Sequence, residues 1–193
     1  MIERVMDMAF KDSELIWEKK ESHKILKTPI FDVCSQHERN ETLGVEGDYI
    51  AIDAPVWVSM IAVIDGKFAM VRQFRHAYGK ITVEFPGGLA AEGEDPACAA
   101  ARELEEETGL KAGRMKLLAA LNPNPAIFSN TVYFYLAEDI TDSGENNTDE
   151  DEILNCIYVP VEEVISSFGN KEYCHAFVGT AIALYLREVG KTV

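Results

Sequence analysis

The run Arg102-Glu103-Leu104-Glu105-Glu106-Glu107 gathers carboxylates where helical spacing would make them neighbours. On a helix, Glu103, Glu106 and Glu107 lie at i, i+3 and i+4 and share one face. Two carboxylates about 5 Å apart repel by roughly 3 kcal/mol at an effective dielectric near 20. A helix has little structural reason to collect three of them. A bound divalent cation turns the repulsion into attraction, and carboxylates are the hard oxygen ligands such an ion takes. Glu105 points elsewhere on the same helix, and for it a solvated surface role is expected.

The elements that must hold this face are well punctuated. Asp95 is placed to cap the helix and Pro96 fits its first turn. Ala97, Ala99, Ala100 and Ala101 favour helix and permit close packing. Gly109-Leu110 predicts a Schellman end. Upstream, Val56 to Ile64 is a nearly continuous apolar run, the mark of a strand buried on both faces. Asp65-Gly66 then predicts a hairpin into Lys67-Phe68-Ala69-Met70-Val71. Ile81 to Phe85 reads as a short strand ended by Pro86-Gly87-Gly88. Residues 13–31 suit short strands. Val132 to Leu136 and Ile153 to Val159 read as strands, residues 139–152 as a mobile acidic loop. Val161 to Phe168 and Tyr173 to Val189 read as helices. Strands and helices do not alternate strictly, so the expected class is α/β, a mixed sheet flanked by helices. No internal repeat is visible.

Composition sets the bounds. The 193 residues suffice for one domain, or one domain with a small extension, and 47% are hydrophobic. No apolar run approaches a membrane span, and the N-terminus lacks the apolar core of a signal peptide. Cys34, Cys98, Cys156 and Cys174 have no metal-binding spacing, so unpaired thiols and a cytoplasmic location are expected. The net charge of −15 is concentrated in two places, Gly88–Leu110 and Glu138–Glu152. No basic stripe exists, which argues against nucleic-acid binding.

Letter by letter, Gly88, Glu94, Arg102-Glu103-Leu104, Glu106-Glu107 and Gly109-Leu110 fall at the fixed positions of the Nudix box. The chain resembles a Nudix hydrolase. That resemblance implies the Nudix α/β/α sandwich with a mixed β-sheet and metal-dependent hydrolysis of a nucleoside diphosphate linked to another group. Mg²⁺, with Mn²⁺ as the alternative, is the implied cofactor. Pyrophosphate is anionic and repels hydroxide; a divalent ion neutralises its oxygens and acidifies a bound water. In similar enzymes the counterparts of Glu103 and Glu107 are metal ligands, with Glu106 adjoining them as ligand or catalytic group. A backbone carbonyl just before the box, here Gly87, joins them. Arg102 is expected to orient Glu94 or Glu106.

The flanks resemble the ADP-ribose pyrophosphatase branch. Arg72-Gln73-Phe74-Arg75 and Glu84-Phe85-Pro86-Gly87 match its lead into the box, with Gly87 where Ala is usual. Pro125 matches a proline that marks ADP-ribose hydrolases, although Ala126 follows where Gly is usual. The resemblance places Arg75 on the substrate phosphates, with Arg72 and His76 as weaker candidates, and Glu84 on a ribose hydroxyl or a metal-bound water. Glu152, with Glu150 as runner-up, takes the catalytic base. Trp17 and Phe31 stand where similar enzymes place an aromatic against adenine, while Trp57 is expected in the core. The implied organisation is a β-rich dimerisation extension over 1–55 and a Nudix domain over 56–193, assembled as a homodimer on a nucleotide-sugar substrate. The expected products are AMP and a sugar phosphate. The rival readings are a Nudix hydrolase of a dinucleoside polyphosphate or damaged nucleotide, and a non-catalytic Nudix-fold ligand sensor.

Overall fold

A computed structural model describes residues 10–142 and 153–190. Two compact units divide them. The described residues up to Ala54, with Asn124–Ser129, form the first; Pro55–Pro123 and the described residues from Asn130 onward form the second.

The first unit follows a 3-10 turn at Asp12–Glu14 with an antiparallel meander of β1 (Glu18–Lys27), β2 (Asp32–Asn40) and β3 (Val45–Asp53). Asn40 organises the β2–β3 connection. It is fully buried, donates to the Glu14 carbonyl at 2.7 Å and accepts from the Leu43 N–H at 2.9 Å. Using both ends of the amide removes the cost of burying it. β1 contrasts with this anchor, since all ten of its residues are exposed.

The second unit carries eight strands and three α-helices. The strands are β4 (Trp57–Ile61), β5 (Val63–Ile64), β6 (Lys67–Arg75), β7 (Lys80–Glu84), β8 (Gly87–Leu89), β9 (Leu110–Leu121), β10 (Val132–Asp142) and β11 (Leu154–Pro160). The helices are α1 (Pro96–Thr108), α2 (Val161–Ser167) and α3 (Ala176–Glu188). One sheet runs β8-β4-β10-β9, and its β4–β10 pair is parallel. The other runs β11-β6-β5, with β7 paired to β6. Strand alternation sends successive residues to opposite faces. Val58, Met60, Ala69 and Tyr135 pack with Ala99, Ala100 and Leu104 of α1. Ile61, Phe68, Met70 and Phe134 pack with α2 and α3 through Val164, Val178 and Ala181. Helices therefore cover both faces, giving the expected α/β/α sandwich.

The apolar run Val56 to Ile64 is two strands rather than one: β4 belongs to the first sheet, and the chain then crosses so that β5 pairs with β6. Asp65 and Gly66 take φ values of 50° and 74°, the left-handed geometry a two-residue hairpin requires. The Asp95 side chain caps α1 by accepting from the Ala97 and Cys98 N–H groups. At the other end Gly109 is left-handed and its N–H bonds the Glu105 carbonyl at 2.8 Å, while the Leu110 N–H goes to Thr108 Oγ1 at 3.2 Å. This is the single-bond αL end rather than the expected Schellman form. β9 has no clear two-residue alternation, so its own residues do not announce a strand; it forms an edge on β10. β10 continues to Asp142 through a left-handed Asp139 opposite Gly113, so 139–142 is strand rather than loop. Among the described residues no helix is long and apolar enough to cross a membrane.

Candidate active site

The short strand β8 brings the glycines of the box against α1. The Gly87 N–H donates to Glu107 Oε2 at 2.8 Å. In an antiparallel strand the N–H and C=O of one residue leave by the same edge, so the Gly87 carbonyl also faces α1. A Cβ on Gly87 would lie 2.5 Å from the Val58 carbonyl oxygen, which explains glycine in place of the usual alanine. A Cβ on Gly88 would run into the Glu103 carboxylate. The backbone is thus stripped of side chains where the carboxylates rest on it.

Glu103 and Glu107 are buried and Glu106 is half-buried. Arg102 is the cation among them. Its Nη1 donates to Glu103 and Glu106, each at 2.9 Å; Nε and Nη2 grip Glu94 at 3.2 and 3.1 Å; Nη2 also reaches the Leu89 carbonyl. Arg102 therefore orients both of its expected partners and Glu103 as well. Its bonds to Glu94 first, then to Glu103 and Glu106, outweigh partial burial and hold the guanidinium charged more firmly than usual. Glu94 is correspondingly held below the usual carboxylate range by Arg102 and by the Ala91 N–H. Glu105 pairs outward with Lys111 at 3.0 Å, as a surface residue should.

Among the described residues no three His, Cys, Asp or Glu side chains converge as a ready-made cage. The donors present nevertheless fit a hard divalent ion: two buried carboxylates, a third at their margin and a carbonyl edge, all oxygen, carrying more negative charge than Arg102 balances.

A second arginine–carboxylate pair lies just upstream. Arg75 meets Glu84 in a two-pronged contact, Nε to Oε1 at 3.0 Å and Nη2 to Oε2 at 2.6 Å, and Thr82 also donates to Oε1. Glu84 is 3% exposed. Burial alone would push its carboxyl up; the Arg75 and Thr82 bonds outweigh burial and hold it below the usual range.

Register decides which arginine shares the face of α1. Val71 pairs with Glu84, and Ala69 of the same alternation packs toward α1. Gln73, Arg75, Thr82 and Glu84 thus share that side. Arg72 pairs with Val83, which packs in the α2–α3 layer, so the structure places Arg72 on the opposite face. There it holds Glu172 at 3.0 and 2.7 Å. His76 sits edge-on to Phe74 at 5.2 Å. Trp17 and Phe31 belong to the first unit, where Trp17 packs edge-on to Tyr49 at 5.5 Å. Trp57 packs against the core beside Phe177. Pro125 lies in the segment grouped with the first unit. Glu150 and Glu152 lie outside the described residues.

Three further residues near this site lie outside the motifs. Thr82 was legible in principle, being two positions from Glu84 on one strand face. His175, at the start of α3, interacts electrostatically with Glu84 and Arg75, and burial pushes its imidazole below its usual value. Cys156 on β11 lies half-buried and feels the charge of Glu107; burial, first, pushes its thiol up. Neither of the last two has any motif to announce it.

Fold and site together are those of a hydrolase of phosphate anhydrides, and the NUDIX domain matches residues 54–176. The chain belongs to the Nudix family, as a pyrophosphohydrolase of that family. It is 36% identical to ADP-ribose pyrophosphatase of Bacillus subtilis (strain 168) over 137 residues, 69% of this chain and 74% of that protein. It is 28% identical to Methanol dehydrogenase activator of Bacillus methanolicus over 169 residues, 86% of this chain and 88% of that protein. A solved structure described as an ADP compounds hydrolase superposes with a TM-score of 0.78 over 91% of this chain and 97% of that one; at 22% identity it speaks to the fold.

Proposed function

We propose that this protein hydrolyses the pyrophosphate bond of ADP-ribose or a related nucleoside diphosphate sugar, with Mg²⁺ or alternatively Mn²⁺, releasing AMP and a sugar phosphate. The observation that carries the reading is a pairing on the α1 side of the sheet. The Glu103–Glu107 carboxylates rest on the Gly87–Gly88 backbone, and the Arg75–Glu84 fork stands three residues before it. The first group suits a cation and the second an anion, which are the two ends of a metal-bound diphosphate. Likeness to the Bacillus subtilis enzyme supports ADP-ribose in particular.

Glu103, Glu107 and the Gly87 carbonyl would hold the cation, with Glu106 at its margin. When bound, the cation supplies neutralisation of phosphate charge and acidification of a water. Arg75 presents a rigid fork suited to phosphate oxygens, and Glu84 sets the plane of that fork. Glu152, or Glu150, is assigned the proton-accepting role.

The organisation proposed is residues 1–55 as a dimerisation extension and 56–193 as the hydrolase domain. The exposure of all ten β1 residues, Ile25 and Leu26 among them, supports a partner surface there. The unpaired state of all four cysteines supports a reducing, cytoplasmic setting.

Incubation with ADP-ribose and Mg²⁺, with products separated by chromatography, tests the reaction. AMP and ribose 5-phosphate are expected, and their formation should stop on chelation. Cleavage of a dinucleoside polyphosphate instead, with ADP-ribose untouched, would move the substrate elsewhere in the family. Light scattering should give twice the chain mass if the dimer reading holds.

A further inference from the structure

The ribbon that carries Arg75 and Glu84 is gripped from its far side by the connection between α2 and α3. β7 pairs with β6 along one edge only. On its other edge the Val83 N–H donates to the Glu172 carbonyl at 2.9 Å. The side chain of the same Glu172 takes the fork of Arg72, and Arg72 is the register partner of Val83. One residue therefore holds both strands of the ribbon at a single register position, β7 by its backbone and β6 by its carboxylate. The connection is itself shaped for this. Lys171 is left-handed at φ 49°, and the Gly169 N–H closes onto the Tyr173 carbonyl at 2.8 Å. Beyond Glu172, Cys174 interacts with Tyr78 in the β6–β7 turn, and His175 interacts electrostatically with Glu84 and Arg75.

Glu84 follows Val83 directly, and strand alternation points it to the opposite face. A rotation or slip of β7 at Val83 must therefore move the Glu84 carboxylate, and with it the fork of Arg75. We propose that Glu172 is a positioning residue: by latching the Gly169–His175 connection onto both β6 and β7, it sets the Arg75–Glu84 pair on the other face of the ribbon. Glu172 acts through the ribbon and does not touch the substrate. A bidentate charge-assisted contact has the directionality this requires, because its two parallel bonds fix orientation as well as distance.

The test is Glu172→Gln in the full chain, with Glu172→Asp beside it. Gln keeps the size and the backbone carbonyl bond but loses the charge that pairs with Arg72. Two readouts are needed, and only the first rests on the ADP-ribose reading. In kinetics, KM for ADP-ribose should rise roughly tenfold while kcat stays within about twofold, the pattern of a weakened contact made equally in ground and transition states. In NMR, the imidazole of His175 should titrate closer to its ordinary value in Glu172→Gln, because releasing the connection relieves the burial that holds it down. Glu172→Asp should lie between wild type and Glu172→Gln in both. If Glu172→Gln does not fold, Glu172→Asp decides by the same two readouts. An unmoved His175 titration together with wild-type KM overturns the proposal. A wild-type protein that fails to cleave ADP-ribose defeats the substrate reading alone, and the His175 titration still decides this one.

Discussion

The molecule uses arginine against carboxylate in two neighbouring places and to opposite ends. Around Arg102, one guanidinium is shared among Glu94, Glu103 and Glu106, with Glu107 close by, so negative charge is left in excess. Around Arg75, one guanidinium meets the buried carboxylate of Glu84 in a two-pronged contact, one charge against one. The first arrangement is frustrated by design of its sequence and is relieved by a cation; the second is already satisfied and acts as a rigid fork. A net count of acids and bases does not distinguish them. What distinguishes them is how many carboxylates each guanidinium must serve, and how deeply they are buried.

The sharpest way to break the contrast is Glu107→Gln. It removes one buried anion from the frustrated group while keeping shape and the bond from Gly87. Turnover should fall on the order of 10²–10³-fold, as when one transition-state donor is removed, with circular dichroism unchanged and calorimetric Mg²⁺ binding weakened. Wild-type rates in that variant would sink the metal assignment. Arg102→Ala comes next. It leaves Glu94, Glu103 and Glu106 without their shared cation, and activity should drop about 10- to 100-fold, the usual range for groups that orient metal ligands; a smaller loss would mean the carboxylates orient themselves.

For the satisfied pair the expected effect is on stability. Glu84→Gln should cost about 2 kcal/mol, below the full cost of breaking a buried pair because Arg75 is 45% exposed. Thermal melts at several pH values measure it and also test the sign. The folded Glu84 carboxyl titrates below the ordinary range. Its contribution is therefore complete above the unfolded carboxylate pKa and is lost as pH falls through the folded one. The wild-type advantage over Glu84→Gln should shrink under acid and not under alkali. The smallest effect belongs to Glu105→Ala. Among the described residues it pairs outward with Lys111, and such surface pairs contribute about 0–1 kcal/mol. Activity and melting should stay near wild type. A large loss there would erase the distinction between one face of α1 and the other.

Legibility followed the range of the interaction. The α1 boundaries, the shared face of Glu103 and Glu107, and the Asp65-Gly66 hairpin were readable because caps, helical spacing and left-handed turns are local. β9 was not, because an edge strand is decided by the strand it joins, here β10, and its own residues lack alternation. The split of Val56–Ile64 into two sheets was hidden for a related reason: both pieces are apolar, and only their partners differ. Arg72 and Arg75 look equivalent in Arg72-Gln73-Phe74-Arg75, yet three positions on a strand put them on opposite faces. Glu172 and His175 had no motif at all, since they reach the ribbon from a connection a hundred residues downstream of Arg72.

By itself, then, the sequence determined the acidic face of the box helix, the glycines beneath it and the family they belong to. These depend on helical period, capping and backbone freedom, all properties of consecutive residues. The tertiary structure alone decided that Arg102 serves three carboxylates, that Arg75 rather than Arg72 shares their side, and that Glu172 grips the ribbon from behind. Those outcomes depend on strand register and on the packing of distant segments, where the free energy comes from pairs of groups that the chain brings together only when folded.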